Sequence, residues 1–201
     1  MKVLLLADKE EPGLWDYFSK DKVEGVDLIV SCGDLKHEYL EFLVTLVNKP
    51  LLYVRGNHDT SYDKYPPEGC DCIDGDILKV RGYTFLGLGG SMRYREGDCM
   101  YTEKEMEKRI RKGRRRIRKE GPIDIFVTHA PARGYGDQED LAHRGFECFN
   151  TFIDTYHPRY MFYAHVHEEY GHFERIRVHE SGTILVNASG SYILDLTSQS
   201  N

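Results

Sequence analysis

Residues 51–59 read Leu51-Leu52-Tyr53-Val54-Arg55-Gly56-Asn57-His58-Asp59. Four apolar residues are too few for a helix, and Pro50 ends whatever precedes them, so 51–54 reads as a buried strand. An amide, an imidazole and a carboxylate follow that strand within five residues. The same grammar recurs upstream: strand 3–6 is followed by Asp8, and strand 26–30 by Gly33-Asp34. Residues 37–48 predict a helix, with Leu40, Leu43, Val44 and Val47 at helical spacing, and 13–19 a shorter one. Short apolar runs separated by helices imply parallel pairing through crossovers.

The second half continues the pattern with hairpins added. Runs 77–80 and 84–88 flank Arg81-Gly82-Tyr83, a hairpin signal. Gly87, Gly89 and Gly90 then form a glycine-rich loop without the strand–GxGxxG–helix context of a dinucleotide site or a Walker lysine, so close backbone approach is the expected use. Residues 104–119 predict a basic helix with Met106, Ile110, Gly113 and Ile117 on one stripe. Strand 123–127 ends in Thr128-His129, helix 146–156 follows, and strand 160–163 ends in Ala164-His165. Strands 183–186 and 192–196 close the chain. The composite is α/β, two sheets face to face with helices outside. One domain over residues 1–196 and a polar tail over 197–201 are expected.

Composition narrows the classes. With 201 residues, 40% hydrophobic and 30% charged, the chain can bury a sizeable core and is not a disordered polymer. The apolar run at 3–6 is too short for a signal core or a membrane span. Five cysteines at 32, 70, 72, 99 and 148 lack a CxxC pair, which predicts free thiols and a cytoplasmic setting. Cys70 and Cys72 find no second pair to complete a zinc site. The net charge of −6 is unevenly spread: residues 104–119 hold ten Lys/Arg and two acids, a local +8 that leaves −14 elsewhere. This helix reads first as a solvated face offsetting an acidic body. Its alternative, a dock for polyanions, lacks interleaved aromatics for stacking single strands.

Five strand ends thus deliver Asp8, Asp34, Asn57-His58, His129 and His165-Val166-His167. The carboxyl ends of parallel strands gather at one rim, where ligands bind. A lone strand-end histidine reads as a hydrogen-bonded structural residue; five such ends together read as a metal site. Carboxylate, amide oxygen and imidazole suit manganese, iron, zinc or magnesium. A carboxylate such as Asp34 can bridge two cations about 3.5–4 Å apart, an arrangement that generates a hydroxide and clamps a phosphoryl group.

Gly33-Asp34, Gly56-Asn57-His58-Asp59, Thr128-His129-Ala130-Pro131 and His165-Val166-His167, in that order after Asp8, resemble the calcineurin-like metallophosphoesterases. The resemblance covers nearly the whole chain. Residues 128–145, 165–171 and 186–189 are similar to a compact branch containing nucleotide and cyclic-nucleotide phosphodiesterases. The resemblance implies a four-layer α/β/β/α sandwich of two mixed sheets flanked by helices. It implies two divalent metal ions, manganese first, with iron, zinc, nickel or magnesium as alternatives. One would be held by Asp8, Asp34, His167 and the residue two beyond Asp8; the other by Asp34 as bridge, Asn57, His129 and His165. His58 and Asn57 would meet the substrate phosphate, and His58 would assist the leaving group.

Two positions depart from the family pattern. Asp8-Lys9-Glu10 stands where Asp-x-His is usual, so Glu10 is the expected oxygen ligand in place of an imidazole. Ala164 stands where glycine is usual, adding a methyl beside the loop of His165 and His167. Arg55, Arg93 and Arg133 fall in loops beside the rim and are candidates for holding phosphate. Asp137 and His143 match positions near the site. His37, His157, His172 and His179 match no motif and read as structural or surface residues.

The expected activity is metal-dependent hydrolysis of phosphodiesters or nucleotide-like esters: a metal-bridging hydroxide attacks phosphorus, Asp34 orders it and His58 aids departure. The expected partner is a small phosphoester, with no membrane. Two rivals stand beside it. One is a scaffold with a weakened metal site; the other is a nuclease steered by the helix at 104–119.

Overall fold

The computed structural model describes residues 1–170 and 173–196; the polar tail 197–201, Gly171 and His172 lie outside them. The chain runs β1 (Lys2–Ala7), β2 (Leu28–Ser31), α1 (His37–Val47), β3 (Leu51–Tyr53), β4 (Asp71–Cys72), β5 (Ile77–Val80), β6 (Tyr83–Leu88) and β7 (Ser91–Met92). It continues through β8 (Met100–Tyr101), α2 (Glu103–Glu120), β9 (Ile125–Thr128), α3 (Glu147–Tyr156), β10 (Tyr160–Tyr163), β11 (Ile176–Val178), β12 (Ile184–Asn187) and β13 (Gly190–Asp195). One sheet has the order β13-β1-β2-β3-β4, the other β11-β12-β10-β9-β6-β5, and β7 pairs β8 in a small ribbon.

Alternation along the strands builds three apolar layers. Val3, Leu5, Leu28, Val30 and Leu52 of the first sheet meet Phe85, Ile125, Val127, Phe162 and Val186 of the second. The intervening residues Leu4, Leu6, Ile29 and Leu51 face α1 through Leu40 and Leu43. On the other side Leu86, Phe126, Met161 and Leu185 face α2 and α3 through Met106, Ile110, Phe149 and Ile153. Strands buried on both faces cannot alternate with polar residues, which is why they appear as continuous apolar runs. Three apolar layers separate four layers of backbone: the α/β/β/α sandwich.

Parallel registers put the strand ends in line. Leu6 pairs Ser31 and Ser31 pairs Tyr53 in one sheet; Leu88 pairs Thr128 and Tyr163 pairs Asn187 in the other. Both sets of carboxyl ends open on the same edge of the sandwich, since the Nδ1 atom of His129 lies 2.8 Å from the carbonyl of Cys32 across the sheets.

Three sequence expectations need correction. Residues 13–19 form only a 3₁₀ turn at Pro12–Leu14, because seven residues cannot offset helix nucleation; Trp15 is held edge-on against Tyr39 and Phe42 of α1 instead. Tyr83 belongs to β6, and the hairpin turns on Arg81-Gly82, both at positive φ. The strand expected over 192–196 begins at Gly190, which pairs Ala7. The short or half-exposed strands β4, β7, β8 and β11 carry no apolar run and gave no signal. No helix among the described residues is long and apolar enough to cross a membrane.

Candidate metal centre

Asp8, Asp34 and His165 leave their strands with φ of 61°, 58° and 72°. Left-handed backbone is unfavourable for such residues and recurs where structure around a site over-determines it. The effect is to turn each side chain sharply back over the sheet edge. Glycine makes the close approach practicable: a Cβ on Gly56 would collide with the Asp34 side chain, and one on Gly33 with the backbone of Gly56. The Gly-Asn-His-Asp turn then clasps Asp34. The Asp34 amide N–H donates to Asp59 Oδ2 at 2.8 Å, Gly56 N–H donates to the same oxygen at 2.7 Å, and His58 N–H donates to Asp34 Oδ1 at 2.8 Å.

Around His129 Nε2 the donor set closes. Asn57 Oδ1 lies at 3.1 Å, His165 Nδ1 at 3.1 Å and Asp34 Oδ2 at 3.2 Å. The metal-competent atoms of Asp34, His129 and His165 all lie within 4.8 Å of one another. The opposite ring nitrogens are committed elsewhere, His129 Nδ1 to the Cys32 carbonyl at 2.8 Å and His165 Nε2 to the Ala142 carbonyl at 2.7 Å. Outer hydrogen bonds of this kind fix the tautomer and aim the remaining lone pair inward. Asp8 Oδ1 accepts from His165 N–H at 3.3 Å, while Asp8 Oδ2 and Asn57 Nδ2 are buried with no hydrogen-bond partner among the described residues. The orphaned Asp8 oxygen, beside three metal-competent side chains whose donor atoms lie within 4.8 Å of one another, fits a bound cation; the Asn57 amide nitrogen, a donor, does not bear on it.

Electrostatics agree. Burial would raise the Asp34 carboxyl, but the adjacent His129 ring and the His58 N–H hold it at about 2. Burial would lower His129, yet Asp34 and Asp8 hold it at about 9. Burial, and then the His129 charge, drive His165 down to about 3. Burial raises Asp8, with His129 opposing. Asp59 is raised to about 6 by burial, then by Asp34. Two acids and two imidazoles compete for positive charge at one point, the condition a divalent ion satisfies.

Asp8, Asp34, Asn57, exposed His58, His165 and His167 line one cavity of about 470 Å³, with Tyr94, Ala142, His143 and Tyr170. Asp8 and His167 also border a neighbouring cavity of about 320 Å³ that contains Lys9, Glu11 and Arg175. Glu10 lines neither cavity, and its carboxylate lies 3.5 Å from Lys36 Nζ. Arg55 pairs Asp63 at 2.5 Å, Arg93 pairs Glu105 at 2.9 Å, and Arg133 pairs Asp137 at 2.6 Å and Glu139 at 2.8 Å. None of the three lines the 470 Å³ cavity. Asp137 also accepts from Gly134 and Gly145 N–H and shapes its loop, whereas His143 stacks beside His165 at 5.5 Å. Ala164 is buried between the sheets, where the extra methyl is accommodated. Of the histidines outside the motifs, His37 and His179 pair with carboxylates at 3.2 and 3.8 Å, and His157 caps α3.

Sequence reasoning missed the roles of Asp59 and Asn187. Asn187 Nδ2 donates to the Val166 carbonyl at 2.7 Å and pins the loop between the two histidines. Arg175 was also missed: it donates to the carbonyls of Asn187 and Ser189 and packs on Phe173. Asp59 had a signal in the motif; Arg175 had none.

A four-layer sandwich with half-buried carboxylates and buried imidazoles at its common strand edge is an α/β scaffold carrying a candidate metal site. The chain belongs to the calcineurin-like phosphoesterase family, whose sequence model matches residues 4–169. It is thereby a hydrolase acting on phosphoesters, of a family that binds divalent metals. No curated protein matches it in sequence. Among solved structures it is similar to TT1561 of Thermus thermophilus, at 19% identity and TM-score 0.68 over 98% of this chain and 95% of that one. A hypothetical protein from the same organism aligns at 16% identity and TM-score 0.54, covering 94% and 76%. A putative 5′-nucleotidase from Staphylococcus aureus aligns at 9% identity and TM-score 0.55, covering 96% of this chain and 50% of that one. At these identities the structural likenesses speak to the fold.

Proposed function

We propose that residues 1–196 act as a single-domain phosphodiesterase of small, nucleotide-like esters, with two divalent cations at the strand edge. Asp8, Asp34 and His167 would hold one; Asp34, Asn57, His129 and His165 the other. Manganese is the first choice for this oxygen and imidazole set. Glu10 would join only by leaving Lys36, whereas Glu11 borders the cavity shared by Asp8 and His167. The observation that carries the reading is the convergence of Asp34, His129 and His165 within 4.8 Å.

When bound, the cations supply an ionised water and neutralise charge on the phosphoryl oxygens. The chain's own residues do the rest. Asp34 is held by the His58 N–H and His129, so it stays ionised and fixed. His58 stands exposed at the cavity wall, placed to give a proton to the departing oxygen. Tyr94, His143 and Tyr170 line the same cavity and offer aromatic surface for the ester group. Five unpaired cysteines support a reducing, cytoplasmic setting.

The test is hydrolysis of a chromogenic phosphodiester with added manganese. Turnover should vanish on chelation and in Asp34→Asn combined with His58→Ala. Activity surviving both would refute the mechanism.

A further inference from the structure

Helix α2 divides its surface by chemistry. Met106, Ile110 and Ile117 are buried against the second sheet and α3. On the opposite side, at spacings of four and three residues, stand Lys104, Lys108, Arg111, Arg115 and Arg118, all exposed. Lys112, Lys119 and Arg114 flank them, exposed as well.

Ion pairing leaves this charge largely uncompensated. Of the ten cations at 104–119, Arg109 pairs Asp74 and Arg116 pairs Asp76. The other eight have no carboxylate partner among the described residues. The helix's own acids are in part used elsewhere: Glu105 closes the capping box with Thr102 and pairs Arg93, and Glu103 accepts from Cys148 N–H on α3. A helix that merely balanced an acidic body would turn its charge toward that body. This one turns it away.

We propose that the outer face of α2 docks the phosphate backbone of a double-stranded nucleic acid, without reading its sequence. The five central cations span about 21 Å at 1.5 Å per residue. A duplex offers about one phosphate charge per 1.7 Å of axis, dense enough to meet each of them. No aromatic residue interrupts 104–119, so single strands gain no stacking. The apolar stripe is committed to the core, which removes the inserted face that an interfacial membrane helix requires.

The dock is separate from the metal centre. Arg109 holds the Gly89 carbonyl, beside the Arg55 backbone at the site end of the sheet. Glu120, at the other end of the helix, pairs Lys79, whose strand partner Thr84 lies at the far end of β6. The basic stripe therefore starts at the site end with Lys104 and Lys108 and runs away from it through Arg111, Arg115 and Arg118, on the side of the helix opposite its packed face, and acts as an anchor rather than a substrate channel.

The experiment is fluorescence anisotropy of labelled 20-base-pair DNA and RNA duplexes, and of the matching single strands, from 50 to 300 mM KCl. The intact protein should bind either duplex better than its strand, with log K falling against log salt at a slope of about −4. A variant with Lys108, Arg111, Arg115 and Arg118 changed to Gln should lose that slope almost entirely, and at least 30-fold in affinity at the lowest salt. A control with Lys20, Lys22, Lys49 and Lys64 changed to Gln carries the same net charge and should bind like the parent. Thermal melting confirms that each variant is folded. The proposal is overturned if the parent fails to bind a duplex at 50 mM KCl, or if the control loses as much affinity as the stripe variant. Binding to phosphatidylserine vesicles in place of a duplex would overturn it equally. The hydrolysis assay is independent of this result, so either reading can fail alone.

Discussion

The strand edge and the outer face of α2 are both densely charged, and they solve that problem in opposite ways. At the edge, the carboxylates of Asp8 and Asp34 are half-buried and the rings of His129 and His165 buried, three of these four residues are left-handed, and hydrogen bonds lock them in place. On α2 the cations stand in water on a regular helix, where their hydration is undisturbed. Charge held out of water needs a partner to justify it, while exposed charge persists without one. The contrast teaches where substitution should hurt: geometry governs the edge and long-range field governs the helix.

The sharpest way to break this comparison is at the edge. On the proposed mechanism, in which His58 lends a proton and is not a ligand, His58→Ala should cut kcat by about 10²- to 10⁴-fold while bound metal stays unchanged; elemental analysis beside the phosphodiester assay reads both. Asp59→Ala should follow. It strands the N–H groups of Gly56 and Asp34, each costing about 1–3 kcal/mol where buried, and should weaken metal affinity about 10- to 100-fold. Urea unfolding and a manganese titration measure the two effects.

Smaller effects belong to the helix. Thr102→Ala removes the cap that accepts from Glu105 N–H and should cost about 1 kcal/mol, read in the same urea curves, with turnover intact. The four-glutamine stripe variant of α2 should change stability by no more than about 0.5 kcal/mol. A larger loss would show that the helix face supports the fold, and the two regions would then no longer be opposites.

Much of the edge was legible because each ligand candidate directly follows an apolar run. Asp8, Asp34, Asn57, His129 and His165 are tied to strands by covalent proximity, so recognising the strand places the side chain. Pairing across space was not legible. Arg55, Arg93 and Arg133 look like free phosphate clamps in sequence, yet each is committed to a carboxylate. Glu10 is expected as a ligand from the resemblance to the family's Asp-x-His motif, but the turn after β1 places its carboxylate beside Lys36 and leaves Glu11 beside the cavity. The 13–19 segment misled for a related reason: Trp15 and Phe18 are held by Tyr39 and Phe42 of α1, with no helix of their own.

Apolar runs and their polar successors by themselves determined the strands, the α/β class and the residue types at the rim, since burial and backbone reach act over a few positions. Only the tertiary structure decided that two sheets bring their carboxyl edges to one place, that Asp59 and Asn187 brace the loops there, and that eight cations of α2 face water with no carboxylate partner among the described residues. Those outcomes depend on distances between segments far apart in the chain, where packing and electrostatic competition choose among many partners of the same chemistry.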